Sequence, residues 1–128
     1  MIRVLLAVPY HKLVSAIKTL LEEQSDINVI MQTDTEVTTV AAAERLQPDI
    51  VVLDIDGYVF SGFEVLVKLV QSHPQLPVLV LGEHDLPYYA ERMQRAGAAG
   101  YLFRTELVDQ LPETLRAIAA KQTEKALA

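Results

Sequence analysis

Two aspartates one residue apart, Asp54 and Asp56, close the apolar run VVLDIDG at positions 51–57. A carboxylate at a strand end can simply be solvated or cap a helix, or it can act as a nucleophile and form an acyl phosphate. The first aspartate can act as a nucleophile that is phosphorylated only during turnover, or it can store the phosphoryl group as a lasting mark. Either reaction crowds negative oxygens together. Mg²⁺ ordinarily offsets that charge, and as a hard cation it requires oxygen ligands in near-octahedral geometry. Glu83 and Arg104 are the other charged residues that the chain pattern brings to the ends of strands. His11 and His84 could in principle be metal ligands, but two histidines without a third suitably spaced partner read as surface residues.

The elements that would position these groups follow from the apolar pattern. Five short runs lack polar alternation: 2–8 (IRVLLAV), 27–31 (INVIM), 49–54 (DIVVLD), 77–81 (PVLVL) and 100–103 (GYLF). Such runs suit strands covered on both faces in a parallel sheet. Helical stripes lie between them. Leu13, Ile17, Leu20 and Leu21 form the first, and Thr33 with Glu36 reads as a capping box ahead of Val37, Val40 and Ala41. Phe63, Leu66, Leu69 and Val70 form the third, stopping before His73-Pro74. Asp85 is a candidate cap for a fourth helix, with Pro87 in its first turn and Gly97 at its end. Leu111, Leu115 and Ile118 mark a fifth, with Pro112 near its start and a solvated tail over 121–128. The reading is one α/β domain over 1–128, a flavodoxin-like (βα)5 doubly wound parallel sheet with strand order 2-1-3-4-5.

Composition narrows the function classes. The 128 residues suffice for one core, and a net charge of −6 discourages bare nucleic acid as a partner of this domain. The absence of cysteine excludes disulfides and thiolate metal sites. No apolar run approaches the roughly 18 residues of a membrane span, and the expected setting is cytoplasmic. In sheets of this kind ligands sit at the carboxyl ends of the strands. The loop VPYHKLV after the first strand has no glycine-rich phosphate cradle and none of the hydroxyls that would hold a flavin phosphate.

Four stretches, IRVLLAV, QPDIVVLDIDGYVFSGFEVL, LPVLVLGEHD and AGAAGYLFR, give the chain from Ile2 to about Ala120 a clear likeness. It resembles the receiver domain of a bacterial response regulator, most of all those fused to a C-terminal helix-turn-helix DNA-binding domain. The competing likeness, to haloacid-dehalogenase-like phosphatases with their hhhhDxDGT motif, fails on placement. That motif opens its fold, whereas about 50 residues precede Asp54, and its threonine is Tyr58 here.

The resemblance implies a role for each matching position. Asp54 stands at the phosphoryl-acceptor position. Val8 and Pro9 replace the acidic pair that holds Mg²⁺, and Gly82 replaces the hydroxyl residue that follows the phosphoryl group on switching. Arg104 stands for the lysine, Tyr101 is the retained aromatic switch residue, and Tyr58 replaces a proline. These departures imply an atypical receiver, or pseudo-receiver, that is not an enzyme, holds no cofactor and acts through protein contacts independently of phosphorylation. The expected partner is a protein or a second copy, with a DNA-binding domain fused or separate; Tyr88, Tyr89 and Met93 are the candidate contact residues, with cover for the edge of the core as their alternative role. Two alternatives are a phospho-accepting receiver whose Mg²⁺ site is rebuilt from Asp56 and Glu83, and a small-ligand sensor using an apolar rim of Val8, Pro9 and Tyr10. With no acid pair, Asp54 would be a lone charge in an apolar cleft, so Arg104 is expected to pair with it. Asp56 is expected to be solvated, and Glu83 to compete for the guanidinium.

Overall fold

The structure is a computed structural model and describes residues 1–56, 61–83 and 86–127. Five parallel strands, β1 (Ile2–Ala7), β2 (Ile27–Thr33), β3 (Ile50–Asp54), β4 (Val78–Gly82) and β5 (Gly100–Phe103), stand in the order β2-β1-β3-β4-β5. They alternate with α1 (His11–Glu22), α2 (Glu36–Leu46), α3 (Gly62–Ser72), α4 (Pro87–Arg95) and α5 (Leu107–Leu127). The strand order and the alternation are those expected from the sequence.

Period-two alternation along the strands divides the core into two layers. Val4, Leu6 and Val52 face α1 and α5, packing with Ile17, Leu21, Leu111 and Leu115. Leu5, Val51, Leu53 and Val80 face the other way, against Ala42 and Ala43 of α2, Leu66 and Leu69 of α3 and Met93 of α4. Only β3 and β4 are buried along their whole length. The edge strands β2 and β5 are partly exposed, because one side of an edge strand has no neighbour to cover it.

Three details differ from the sequence reading. Thr35, not Thr33, caps α2: its hydroxyl accepts the Thr38 amide at 3.1 Å, and the Thr35 amide in turn donates to the Thr38 hydroxyl. Thr33 ends β2 and holds the buried Thr39 hydroxyl at 2.7 Å. With the cap two residues later, the inward face of α2 becomes Thr39, Ala42 and Ala43, and Val37 is left 75% exposed. In α1 the buried stripe includes Val14, with Leu13 and Leu20 at its margin. The Ncap position of α4 is occupied by Leu86, without a side-chain cap, and Pro87 opens the helix. Asp85, His84 and Tyr58 lie outside the described residues. Gly97 follows α4 with φ of +103°, where a Cβ would meet Val70 Cγ1 at 2.7 Å.

Pro112 lies near the start of α5, at its sixth position. A 3₁₀ turn over Arg104–Glu106 runs straight into the helix, and the Glu106 carboxylate accepts the Phe103 amide at 2.9 Å. This local tie fixes the path of the chain at Arg104. At the opposite end of the sheet, Arg3 reaches the carbonyls of Leu46 and Gln47 and closes the C-terminus of α2. Among the described residues no helix is long and apolar enough to cross a membrane.

Candidate functional site

The carboxyl ends of β1, β3, β4 and β5 converge on Arg104. Its Nη2 donates to both oxygens of Asp54, at 2.8 Å to Oδ1 and 2.7 Å to Oδ2. Its Nη1 donates to Glu83 Oε1 at 2.7 Å, and its Cζ lies 5.6 Å from the centre of the Tyr10 ring. One guanidinium therefore binds the carboxylate that ends β3, the loop after β4 and the aromatic side chain after β1. Planar, permanently charged and multidentate, arginine can serve all three at once where lysine, a point charge, could not.

The exposure of the three charges differs sharply. The Asp54 side chain is 0% exposed, that of Arg104 22% and that of Glu83 61%. Burial pushes the Asp54 carboxyl above the usual carboxylate range, and the hydrogen bond and charge of Arg104 work against that rise. Burial alone would lower the Arg104 guanidinium, but Asp54 and Glu83 together hold it up and keep it charged.

Asp56 is not the solvated loop carboxylate that the sequence suggested. Its Oδ2 accepts the Glu83 amide at 2.8 Å and its own amide donates to Asp54 Oδ1 at 3.2 Å, so it laces the β3 and β4 loops together. Glu83 does not draw the guanidinium away from Asp54, because the two Nη groups point to different partners. Tyr10, read only as part of an apolar rim, is the stacking partner. Its position beside Val8 and Pro9 at the end of the first strand was the one signal available in the sequence.

The Mg²⁺ that this kind of site would ordinarily use does not fit these residues. Val8 and Pro9 offer no side-chain oxygens, and both Asp54 oxygens are engaged by Arg104. Among the described residues no group of three His, Asp or Glu side chains could hold a metal ion. A cavity of about 130 Å³ does adjoin Val8 and Pro9, but it opens toward His11, Gln32, Thr33 and Asp34 rather than beside Asp54.

Gly82 and Tyr101 are in contact, with the Tyr101 ring lying over the glycine. The three candidate contact residues part company. Met93 is 4% exposed and belongs to the core, Tyr89 is partly buried, and Tyr88 stands 61% exposed. Tyr88 borders a groove of about 360 Å³ with Phe63, Glu91, Arg92, Arg95 and Ala96, and Arg92 stacks over Phe63 at 4.8 Å. Of the two readings the sequence left open for these residues, cover for the core holds for Met93, and exposure leaves Tyr88 available for contact.

A (βα)5 sheet with an aspartate ending its central strand and a cation opposite it defines a receiver fold and site. Residues 5–116 match the family described as response regulator receiver domain, and the chain belongs to that family. It is 33% identical over 116 residues to the uncharacterized transcriptional regulatory protein YvfU of Bacillus subtilis, covering 91% of this chain and 58% of that protein. It is 29% identical over 103 residues to the transcriptional regulatory protein DegU of Brevibacillus brevis, covering 80% of this chain and 44% of that one. The chain thus spans about half the length of these curated relatives. Among solved structures, a LuxR-family two-component response regulator from an Aurantimonas species superposes with a TM-score of 0.87 at 22% identity, over 93% of this chain and 85% of the other. The response regulator domain of Thermotoga maritima CheB gives 0.85 at 20% identity, over 94% and 97%, which places the fold among receivers.

Proposed function

We propose that this chain is a pseudo-receiver, a receiver domain of a transcriptional regulator that works by protein contact with neither phosphoryl transfer nor turnover. The observation that carries this reading is the double hydrogen bond from Arg104 to a fully buried Asp54. A phosphoryl donor must reach an Asp54 oxygen, and doing so here means breaking a desolvated ion pair. Val8 and Pro9 supply no metal to offset the charge that then accumulates. Asp54 has become a structural partner of Arg104.

The contact surface is the exposed side of α4, where Tyr88, Arg92 and Arg95 are all exposed and two arginines stand out on a chain of net charge −6. Tyrosine and arginine are the side chains most enriched where proteins bind one another. The partner is a protein or a second copy of the chain. A DNA-binding part is fused or separate.

The test is incubation with Mg²⁺ and a small phosphodonor, followed by intact-mass measurement, with beryllofluoride binding read by NMR. The expected result is an unmodified chain and unchanged spectra. Stoichiometric labelling that disappears in Asp54→Asn would overturn the reading and establish a phospho-accepting receiver.

A further inference from the structure

Gly82 closes β4, and the register pairs Val80 with Tyr101 and Gly82 with Phe103. Tyr101 is therefore the diagonal neighbour of Gly82 on the same face of the sheet, and its ring leans along the strands across the glycine. A Cβ at position 82 would collide with the Tyr101 hydroxyl and stand 2.8 Å from Cζ and 2.9 Å from Cε2. Each of these is well inside van der Waals contact, so only hydrogen fits beneath the ring. The obstructed atoms lie at the far end of a side chain with two torsions, which can leave by rotating about χ1 to another staggered position. The seated ring packs in the same apolar cluster as Met93 of α4 and as Ala96 and Ala98 just beyond it.

We propose that Gly82 is a positioning residue: by lacking a side chain it seats the Tyr101 ring across the end of β4 and thereby holds α4, with its exposed Tyr88 and Arg92, in one arrangement. Any side chain at position 82 evicts the ring toward solvent and removes part of the packing beneath α4. The arrangement is set by a missing methyl group rather than by the state of Asp54. It therefore holds whether or not Asp54 accepts a phosphoryl group, and the labelling experiment above tests the two ideas separately.

The test uses the full chain with its five tyrosines replaced by 3-fluorotyrosine, each ¹⁹F signal being assigned by a Tyr→Phe variant. A soluble gadolinium chelate should broaden the Tyr101 signal several-fold less than that of Tyr88, which is 61% exposed. In Gly82→Ala the Tyr101 signal should broaden as Tyr88 does, and amide exchange in α4 should speed up by about tenfold or more. A Gly82→Ala/Tyr101→Ala double variant should melt with Tyr101→Ala alone, because no ring remains to be displaced. A folded Gly82→Ala chain with unchanged Tyr101 broadening would overturn the seating. Unchanged α4 exchange with a displaced ring would overturn its link to α4. If Gly82→Ala does not fold, failure of the double variant to recover the Tyr101→Ala melting temperature would overturn the proposal as well.

Discussion

Removing Arg104 and removing Asp54 should have unequal consequences, because the two partners have unequal routes to water. Asp54→Ala leaves a guanidinium whose side chain is 22% exposed and still paired with Glu83. The expected cost is about 1–2 kcal/mol, below the 3–5 typical of a broken buried pair, since the arginine can turn outward. Arg104→Ala leaves a carboxylate that is 0% exposed and that, among the described residues, keeps the Asp56 amide as a donor. Its escape is to take up a proton. Holding a carboxyl neutral at pH 7, about three pH units above its ordinary pKa, costs about 4 kcal/mol at about 1.4 kcal/mol per unit. That sets a ceiling of about 4 kcal/mol, or about 15 °C in melting temperature for a domain of this size. The same reasoning fixes the sign of the pH dependence. The folded pKa of Asp54 in the variant lies above the unfolded value, so the native state binds the proton first and regains stability as pH falls. At pH 5 the ceiling drops to about 1.5 kcal/mol. In the wild type burial already raises Asp54 somewhat, so the observed slope should be shallower than the full value. Urea denaturation of both variants and of the double variant, at pH 7 and pH 5, would measure this. An Arg104→Ala deficit that is smaller than that of Asp54→Ala at pH 7, or that does not change with pH, would refute the reasoning.

Other outcomes follow from single contacts. Thr35→Ala should cost about 1 kcal/mol in a thermal melt by removing the α2 cap, and a cost near zero would show that Thr38 or water replaces it. Gly97→Ala should destabilise by about 1–3 kcal/mol, since its φ of +103° strains any other residue and the new Cβ meets Val70. The Asp26 carboxyl is held below its ordinary pKa chiefly by the hydrogen bond from Arg116, so its contribution to stability should be present above the unfolded pKa and lost as pH falls through the folded one. An NMR titration of Asp26 that returns the ordinary value would contradict the pairing. If the chain self-associates through α4, sedimentation should show a concentration-dependent dimer that Tyr88→Arg abolishes. A dimer insensitive to that change would move the contact to another face.

The strands could be read from the sequence because each is a short apolar run with no rival period, and the central ones are buried on both sides. The α2 stripe could not be placed as securely. Thr33, Thr35 and Thr38 are all plausible caps, and the choice depends on β2 running on to Thr33, a matter of pairing with Ala7 in β1. The Arg104–Asp54 contact was legible because charge balance in an apolar cleft leaves few solutions. The role of Asp56 was not, since a carboxylate two residues past a strand says nothing about which distant amide it will meet. The seating of Tyr101 over Gly82 likewise depends on β4–β5 register, which no local pattern specifies.

Arg104 also limits which substitutions the site will accept. Restoring carboxylates at positions 8 and 9 would bury acid where Val8 is 2% exposed, beside a guanidinium that competes with any metal for them. Shortening Arg104 first would abandon Asp54 in the core. Each of these changes taken alone is uphill, because each leaves a charge in the cleft without its partner. On the proposed reading, an arginine clamped to Asp54 and a metal-held phosphoryl group are mutually exclusive occupants of one small space, so no single substitution exchanges one for the other.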